Sequence, residues 1–275
     1  MRYLPANCGE QPPRIPTDDP ADRMIEDFET YVPEDPKRLY DVKGIITRIA
    51  DNGRFFEIKP RFARNIVTGF GSIGGIAVGF VANQPKFMGG SLDVDCSDKA
   101  SRFIRFCDAF NIPIVTLVDM PGYLPGSKQE QRGIIRHGAK MLYAYAEATV
   151  PMITLYLRKG YGGAKQAMCT REMGADQVFV WPGVELAVMG ASGAVNVLYR
   201  QEIDAAKDEE KEAVRARRVA EFEERFTGPF EAVAKQYAQA AILPRETRWR
   251  LFQALEILRN KKVEPPRKKH GLMPV

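Results

Sequence analysis

The sequence predicts an α/β layered fold in which strands feed helices through short, right-handed crossovers. Three observations predict it. Between residues 66 and 200, apolar and partly β-branched runs alternate with segments of helical periodicity. The connections between them are short and rich in glycine. The run 152–157 stops at Gly160-Tyr161-Gly162-Gly163, and a helical pattern starts at Ala164.

The elements follow in order. Residues 1–37 carry Pro12-Pro13, Pro16, Pro20, Pro33 and Pro36 among acidic residues, and read as an extended lead-in rather than a core element. Residues 39–50 have amphipathic helical spacing, and Phe55-Phe56-Glu57-Ile58 follows. Runs 66–72 and 76–82 flank Gly74-Gly75 and read as a hairpin closed by Asn83-Gln84-Pro85. Ser97 is the expected cap of a helix reaching Phe110, whose Ala100, Phe103, Ile104 and Cys107 lie at i, i+3, i+4 and i+7. Residues 113–118 read as a buried strand ending at Asp119, residues 120–129 as a loop, and residues 134–148 as a helix. Short strands at 178–180 and 186–188 and a helix at 191–199 come after the glycine cluster. Residues 201–226 are dense in charge, with Ile203, Val214, Phe222 and Phe226 as sparse apolar positions, and read as an exposed or edge-packed helix. Helices at 229–241 and 245–260 complete the reading.

Composition sets the class. With 275 residues and 45% hydrophobic content the chain can bury a core without disulfide or metal staples. No apolar run reaches membrane-spanning length and the first residues have no signal-peptide core, so a cytoplasmic enzyme is expected. Cys8, Cys96, Cys107 and Cys169 show no CxxC spacing, and no metal site is expected. The net charge of +5 is a weak excess, gathered partly in Lys261-Lys262 and Arg267-Lys268-Lys269. No aromatic interleaving or nucleic-acid motif accompanies it, so a solvated tail is expected and no nucleic acid.

The glycine cluster is the segment that points to chemistry. A strand turning through glycines into a helix leaves backbone N–H groups directed at open space, and the helix start adds partial positive charge. Such a turn can hold an oxygen that gains charge without any catalytic side chain. Read from residues alone, a plain glycine turn is the favoured reading, by roughly two to one. His137, in an apolar helix beside Gly138, reads as a hydrogen-bonded structural histidine rather than a proton shuttle. No GxGxxG or Walker A string is present.

Long strings then agree in order and spacing with a known family. RFIRFCDAFNIPIVTLVDMPGYLPG (102–126), GIIRHGAKMLYAYAEATVP (133–151), RKGYGGAKQAM (158–168), WPGVELAVMGASGAV (181–195), FFEIKPRFARNIVTGF (55–70), DDPADR (18–23) and the closing RKKHGLMPV resemble the C-terminal half of the biotin-dependent acyl-CoA carboxyltransferases. That family includes propionyl-CoA carboxylase β subunits, methylmalonyl-CoA carboxyltransferases and related decarboxylase subunits. The resemblance spans essentially the whole chain. It implies a crotonase-like (ClpP/crotonase) spiral of ββα units with C-terminal helices, and a biotin-side domain over residues 38–275.

The resemblance also implies a division of labour. An N-terminal half holds most of the coenzyme A thioester, and the C-terminal half holds biotin, delivered as carboxybiotin on a carrier protein. The expected partners are a complementary CoA-binding half, a biotin carboxyl carrier protein and a biotin carboxylase, in an oligomer of the trimer-of-dimers type. The oxyanion pocket of the biotin side maps to Gly163 and Ala164, with Gly162 beside them. Gly122 and Tyr123 map beside the biotin and acyl site, Asn83 and Gln84 to a segment lining the acyl-CoA groove, and Gln166 to a position facing the acyl pocket. The implied reaction moves carboxylate between carboxybiotin and a short acyl-CoA such as propionyl- or acetyl-CoA. Decarboxylation of methylmalonyl-, malonyl- or glutaconyl-CoA uses the same local chemistry in reverse, and a non-catalytic assembly subunit is the alternative of another class. Three departures stand out. No CoA-binding half is present, so another subunit supplies it or the chain is a fragment. Lys165-Gln166 replaces the family's frequent GGAYD continuation. Gly74-Gly75-Ile76 lacks the basic residue that usually follows the hairpin glycine.

Overall fold

The computed structural model describes residues 2–35, 38–226, 228–264 and 268–274, with backbone alone for residues 224–226. Pro36 of the lead-in, Arg267 of the basic tail and the Phe226 side chain lie outside this set. The lead-in contains one helical turn, α1 (Phe28–Tyr31), and is followed by α2 (Val42–Ile49), β1 (Phe56–Ile58), β2 (Ile66–Ile73) and β3 (Ile76–Asn83). Then come α3 (Val94–Ala109), β4 (Ile114–Met120), α4 (Ser127–Gln131), α5 (Ile134–Glu147), β5 (Met152–Tyr161) and α6 (Gly162–Ala167). The remainder is β6 (Gln177–Val180), β7 (Glu185–Ala187), α7 (Ala191–Leu198), α8 (Arg200–Ala205), α9 (Lys211–Phe226), α10 (Pro229–Ala234), β8 (Ala240–Ala241) and α11 (Thr247–Ile257).

Among the described residues these strands make one sheet in the order β1-β2-β3-β4-β5-β6-β8, with β7 added to the end of β5. β1, β2 and β3 pair antiparallel, and every later pairing is parallel. The central strands are apolar at nearly every position because helices cover both faces. Ile114, Val118, Met152 and Tyr156 face α3 and α5, in a core with Ile104, Met141 and Tyr145. Val115, Leu117, Ile153 and Leu155 face the other way, toward Ile45, Ile46 and Ile49 of α2 and Leu251 of α11.

The hairpin turns at Gly74 and Gly75, which have φ of +56° and +78°, as a two-residue turn between twisted strands demands. Asp51 accepts both turn N–H groups at 2.9 Å. Its carboxylate meets the fully buried Arg248 at 2.7 Å, and Arg248 Nε also donates to the Pro20 carbonyl. A carboxylate backed by an arginine from α11 therefore serves the turn that lacks a basic residue of its own.

Several sequence expectations change. The lead-in does more than extend: Tyr3, Ile15, Ile25 and Phe28 are buried in the two cores. The cap of α3 is Asp93, whose carboxylate accepts the Cys96 N–H, whereas Ser97 lies inside the helix and donates to the Asp93 carbonyl at 2.7 Å. Asn83 is the last residue of the second strand, paired with Ile66, and Gln84-Pro85 follow it, so this segment lies at the open end of the hairpin and Gly74-Gly75 alone make its turn. The charged segment is two helices, α8 and α9, joined by Glu202 ion pairs to Arg217 and Arg218. The helix expected over 229–241 stops at Ala234, because Gln236 takes a left-handed φ of +59° and the chain then enters the sheet as β8.

Candidate active site

The parallel strands β4 and β5 end side by side, and each delivers a glycine turn there. β5 runs into α6 without a spacer. Tyr161 is the N-cap residue and no side chain caps the helix. The N–H groups of Gly162, Gly163 and Ala164 sit in the first turn, where a helix offers no acceptor of its own. Gly162 needs to be glycine, with φ of +60° and the Val188 carbonyl 3.2 Å from where a Cβ would stand. Gly163 is exposed, and a Cβ there would meet nothing within 4 Å. Ala164 turns its methyl into the core and is 1% exposed. The turn thus has an open outer face and an anchored inner one.

The neighbours divide into those that face this space and those that do not. Gly122 has φ of +142° with open space around its Cβ position, and its carbonyl accepts from the Leu92 N–H at 3.0 Å. Tyr123 points inward: its hydroxyl would lie 2.7 Å from a Cβ at Gly138 of α5, is buried without a hydrogen-bond partner, and has its pKa raised by burial. Its hydroxyl is therefore not offered to the crevice. Asn83 is also buried, its amide donating to the Gly90 carbonyl and its oxygen accepting from the Asp119 N–H, both at 3.3 Å. Gln84 accepts from Val42 N–H and donates to Asp41 at 2.7 Å. These two side chains hold loops together. Gln166 accepts from the Thr170 hydroxyl at 2.6 Å. His137 binds Asp98 at 2.8 Å, where Lys140 joins it at 2.9 Å.

Two features escape the sequence reading. A cavity of about 450 Å³ opens beside α6, lined by Lys165, Leu186, Val188, Met189, Val197 and Tyr237 among others. Lys165 lies 4.6 Å over the Tyr237 ring, and burial lowers its pKa. Lys165, not Gln166, is the residue of this turn that lines the cavity. The second feature is the buried ion pair of Asp119 with Arg158 at 3.1 Å. Its signal was a charge placed inside apolar strand runs, at both strand ends. Burial pushes up the thiols of Cys96, Cys107 and Cys169, which leaves them unfit as nucleophiles.

The profile of the carboxyl transferase domain matches residues 1–273. The chain belongs to the carboxyl transferase family. It is 48% identical over 276 residues to the propionyl-CoA carboxylase carboxyltransferase subunit of Haloferax mediterranei, covering 100% of this chain and 53% of that protein. It is 47% identical over 275 residues to the methylmalonyl-CoA decarboxylase subunit alpha of Veillonella parvula, covering 100% of this chain and 52% of that one. The transcarboxylase 12S crystal structure with methylmalonyl-coenzyme A and methylmalonic acid bound superposes with a TM-score of 0.96 at 48% identity, over 100% of this chain and 52% of that chain. The chain therefore spans about half the length of the family members it matches. The fold is the crotonase-like one of these neighbours, and β2-β3-α3 is a ββα unit of it. No helix among the described residues is long and apolar enough to cross a membrane.

Proposed function

We propose that this chain is the biotin-side half of an acyl-CoA carboxyltransferase, with Gly163 and Ala164 as the catalytic backbone donors. The observation that carries this reading is the uncapped first turn of α6, open to solvent at Gly163 and anchored at Ala164. Amides fixed in this way stabilise an oxygen that gains charge, and they do so without reorganising during the reaction. A flat ureido ring needs close approach to backbone, and nothing lies within 4 Å of the Cβ position at Gly163 to prevent it. Carboxybiotin, when bound, supplies the carboxyl group. Gly162 shapes the turn, Gly122 has open space at its own Cβ position, and Lys165 faces the adjoining cavity.

The acyl-CoA is held by a complementary CoA-binding half, with a biotin carboxyl carrier protein and a biotin carboxylase as further partners in an oligomer. Exposed Val188, Val197, Leu198 and Phe230 lie around or near the cavity beside α6 and give the complementary half an apolar face to cover. Propionyl- or acetyl-CoA is the proposed acceptor. The likeness to a methylmalonyl-CoA decarboxylase subunit favours one second reading, in which the same site runs toward decarboxylation. Four free cysteines fit a reducing compartment, the cytoplasm.

The test mixes the chain with a CoA-binding half and carboxylated carrier and follows carboxyl transfer to propionyl-CoA. The chain alone transfers nothing and the mixture turns over. Full turnover by the purified chain alone overturns the division of the site.

A further inference from the structure

β5 keeps two different neighbours along its length. Residues 153–156 pair with β6, and residues 159–161 pair with β7. On its other side the register with β4 breaks. Val118 faces Tyr156 and Met120 faces Gly160, so the single residue Asp119 stands opposite Leu157, Arg158 and Lys159. A bulge of this kind leaves backbone groups unpaired and re-aims the chain that follows, and here it falls just before the glycine turn.

Asp119 fills the gap. One carboxylate oxygen accepts the Lys159 N–H at 3.2 Å, where a regular ladder would offer a carbonyl. The other accepts from Arg158 Nε at 3.1 Å. Its own N–H is held by Asn83, which also donates to the Gly90 carbonyl. Arg158 then reaches across to the lead-in, where Nη1 donates to the carbonyls of Pro33, Asp35 and Arg38 at 3.0–3.2 Å. Its guanidinium lies 5.4 Å from the Tyr40 ring. Both members of the pair are almost fully buried, at 5% and 1% side-chain exposure. A buried ion pair adds little net stability compared with apolar packing, so its presence at a bulge asks for another role.

We propose that Asp119 and Arg158 are positioning residues for the Gly162–Ala164 turn. They fix the bulge that switches β5 from β6 to β7, and so set the angle at which the turn meets its ligand. The proposal rests on the carboxyltransferase reading for its catalytic consequence, but its structural consequence can be read from this chain alone.

Two variants separate the contributions. Asp119→Asn keeps an oxygen for the Lys159 N–H and removes the charge facing Arg158. Arg158→Lys keeps the charge and cannot span the carboxylate and three carbonyls together. Amide hydrogen exchange of the full chain should accelerate at residues 158–161, 34–35 and 38–40 in both, while residues 66–83 of the hairpin stay protected. In the complex with the complementary half, kcat per folded molecule should fall roughly ten- to a hundredfold, as expected for a small misplacement of a reacting group, with KM for acyl-CoA unchanged. Should Asp119→Asn fail to fold, Arg158→Lys carries the same test. A folded variant with native exchange at 158–161 overturns the proposal, as does a raised KM with native kcat. If the wild-type complex transfers no carboxylate while exchange still accelerates in the variants, the carboxyltransferase reading fails and the positioning of the turn stands.

Discussion

At Ala164 the side chain and the backbone have separate jobs: the methyl packs in the core and the N–H remains at the open first turn of α6. Ala164→Gly keeps the donor and should leave carboxyl transfer nearly intact. Ala164→Pro removes the donor outright and should slow transfer about a hundred- to a thousandfold, ~3–4 kcal/mol of transition-state stabilisation. Thermal unfolding in parallel shows that the variant is folded, and a folded Ala164→Pro with near-native rate makes the turn purely structural. Gly163 gives a cleaner contrast. Its Cβ position is empty and its φ is not left-handed, so Gly163→Val should fold normally and act only by blocking the ligand. The strained substitution is Gly162→Val, where φ is +60°. Acyl choice belongs to the same scale. Lys165 lines the cavity and Gln166 is tied to Thr170, so Lys165→Met should change the kcat/KM ratio of acetyl- to propionyl-CoA more than Gln166→Asp does. The reverse order would place the acyl pocket on the Gln166 side. The turn itself was legible because glycines stood between a clear strand and a clear helix. The directions of Tyr123, Asn83 and Gln84 were not, because each is set by a partner distant in sequence: the slot above Gly138, the Asp119 N–H, and Asp41.

Elements were legible where local pattern and tertiary packing agree. The hairpin and strands β4 and β5 have apolar runs bounded by glycine or proline, and they lie within a few residues of expectation. Errors arose where two local signals competed. Asp93 and Ser97 are both good caps four residues apart, and packing lets the helix start at the earlier one. The stretch 229–241 has helical spacing throughout, yet edge pairing with β6 claims its last residues. The hairpin turn shows how a distant element stabilises a local one. Arg248 is fully buried and ties Asp51, the lead-in and the turn, so Arg248→Met leaves Asp51 as a buried carboxylate without its cation. The expected cost is about 3–5 kcal/mol, the usual penalty for removing one partner of a buried pair. Urea unfolding measures it. A midpoint shift worth under about 1 kcal/mol, the range of exposed ion pairs, would mean that water reaches Asp51 in the native state.

At the scale of the molecule, three buried thiols, one buried lysine and an uncovered apolar face set the solution behaviour. Burial raises the folded-state pKa of Cys96 and Cys107 and pushes Cys169 up to about 12, whereas an unfolded thiol titrates near ~8.5. Each raised group contributes stability that is fully present below the unfolded value and is lost as pH rises through the folded one. Lys99 works against this, because burial brings it down to about 8 and its deprotonation favours the folded state at higher pH. Burial lowers Lys159 and Lys165 in the same direction, but the three thiols are the more completely buried groups, so the urea midpoint should fall from pH 8 to pH 10, and a rising midpoint would show that the lysines dominate. The uncovered face bears on assembly. Val188, Val197 and Phe230 are 80%, 67% and 86% exposed around α6, α7 and α10. Isolated apolar side chains are ordinary on a surface, but a group of them beside the α6 turn is the face proposed above for the complementary half. The chain alone should therefore self-associate at micromolar concentration, and sedimentation should show the complementary half displacing that association. Val188→Asp with Val197→Asp should abolish self-association and raise the Kd for the complementary half together, because both use one face. Loss of self-association with unchanged partner affinity would assign the complementary half to a different surface, and a clean wild-type monomer would show that the exposed residues form no sticky patch.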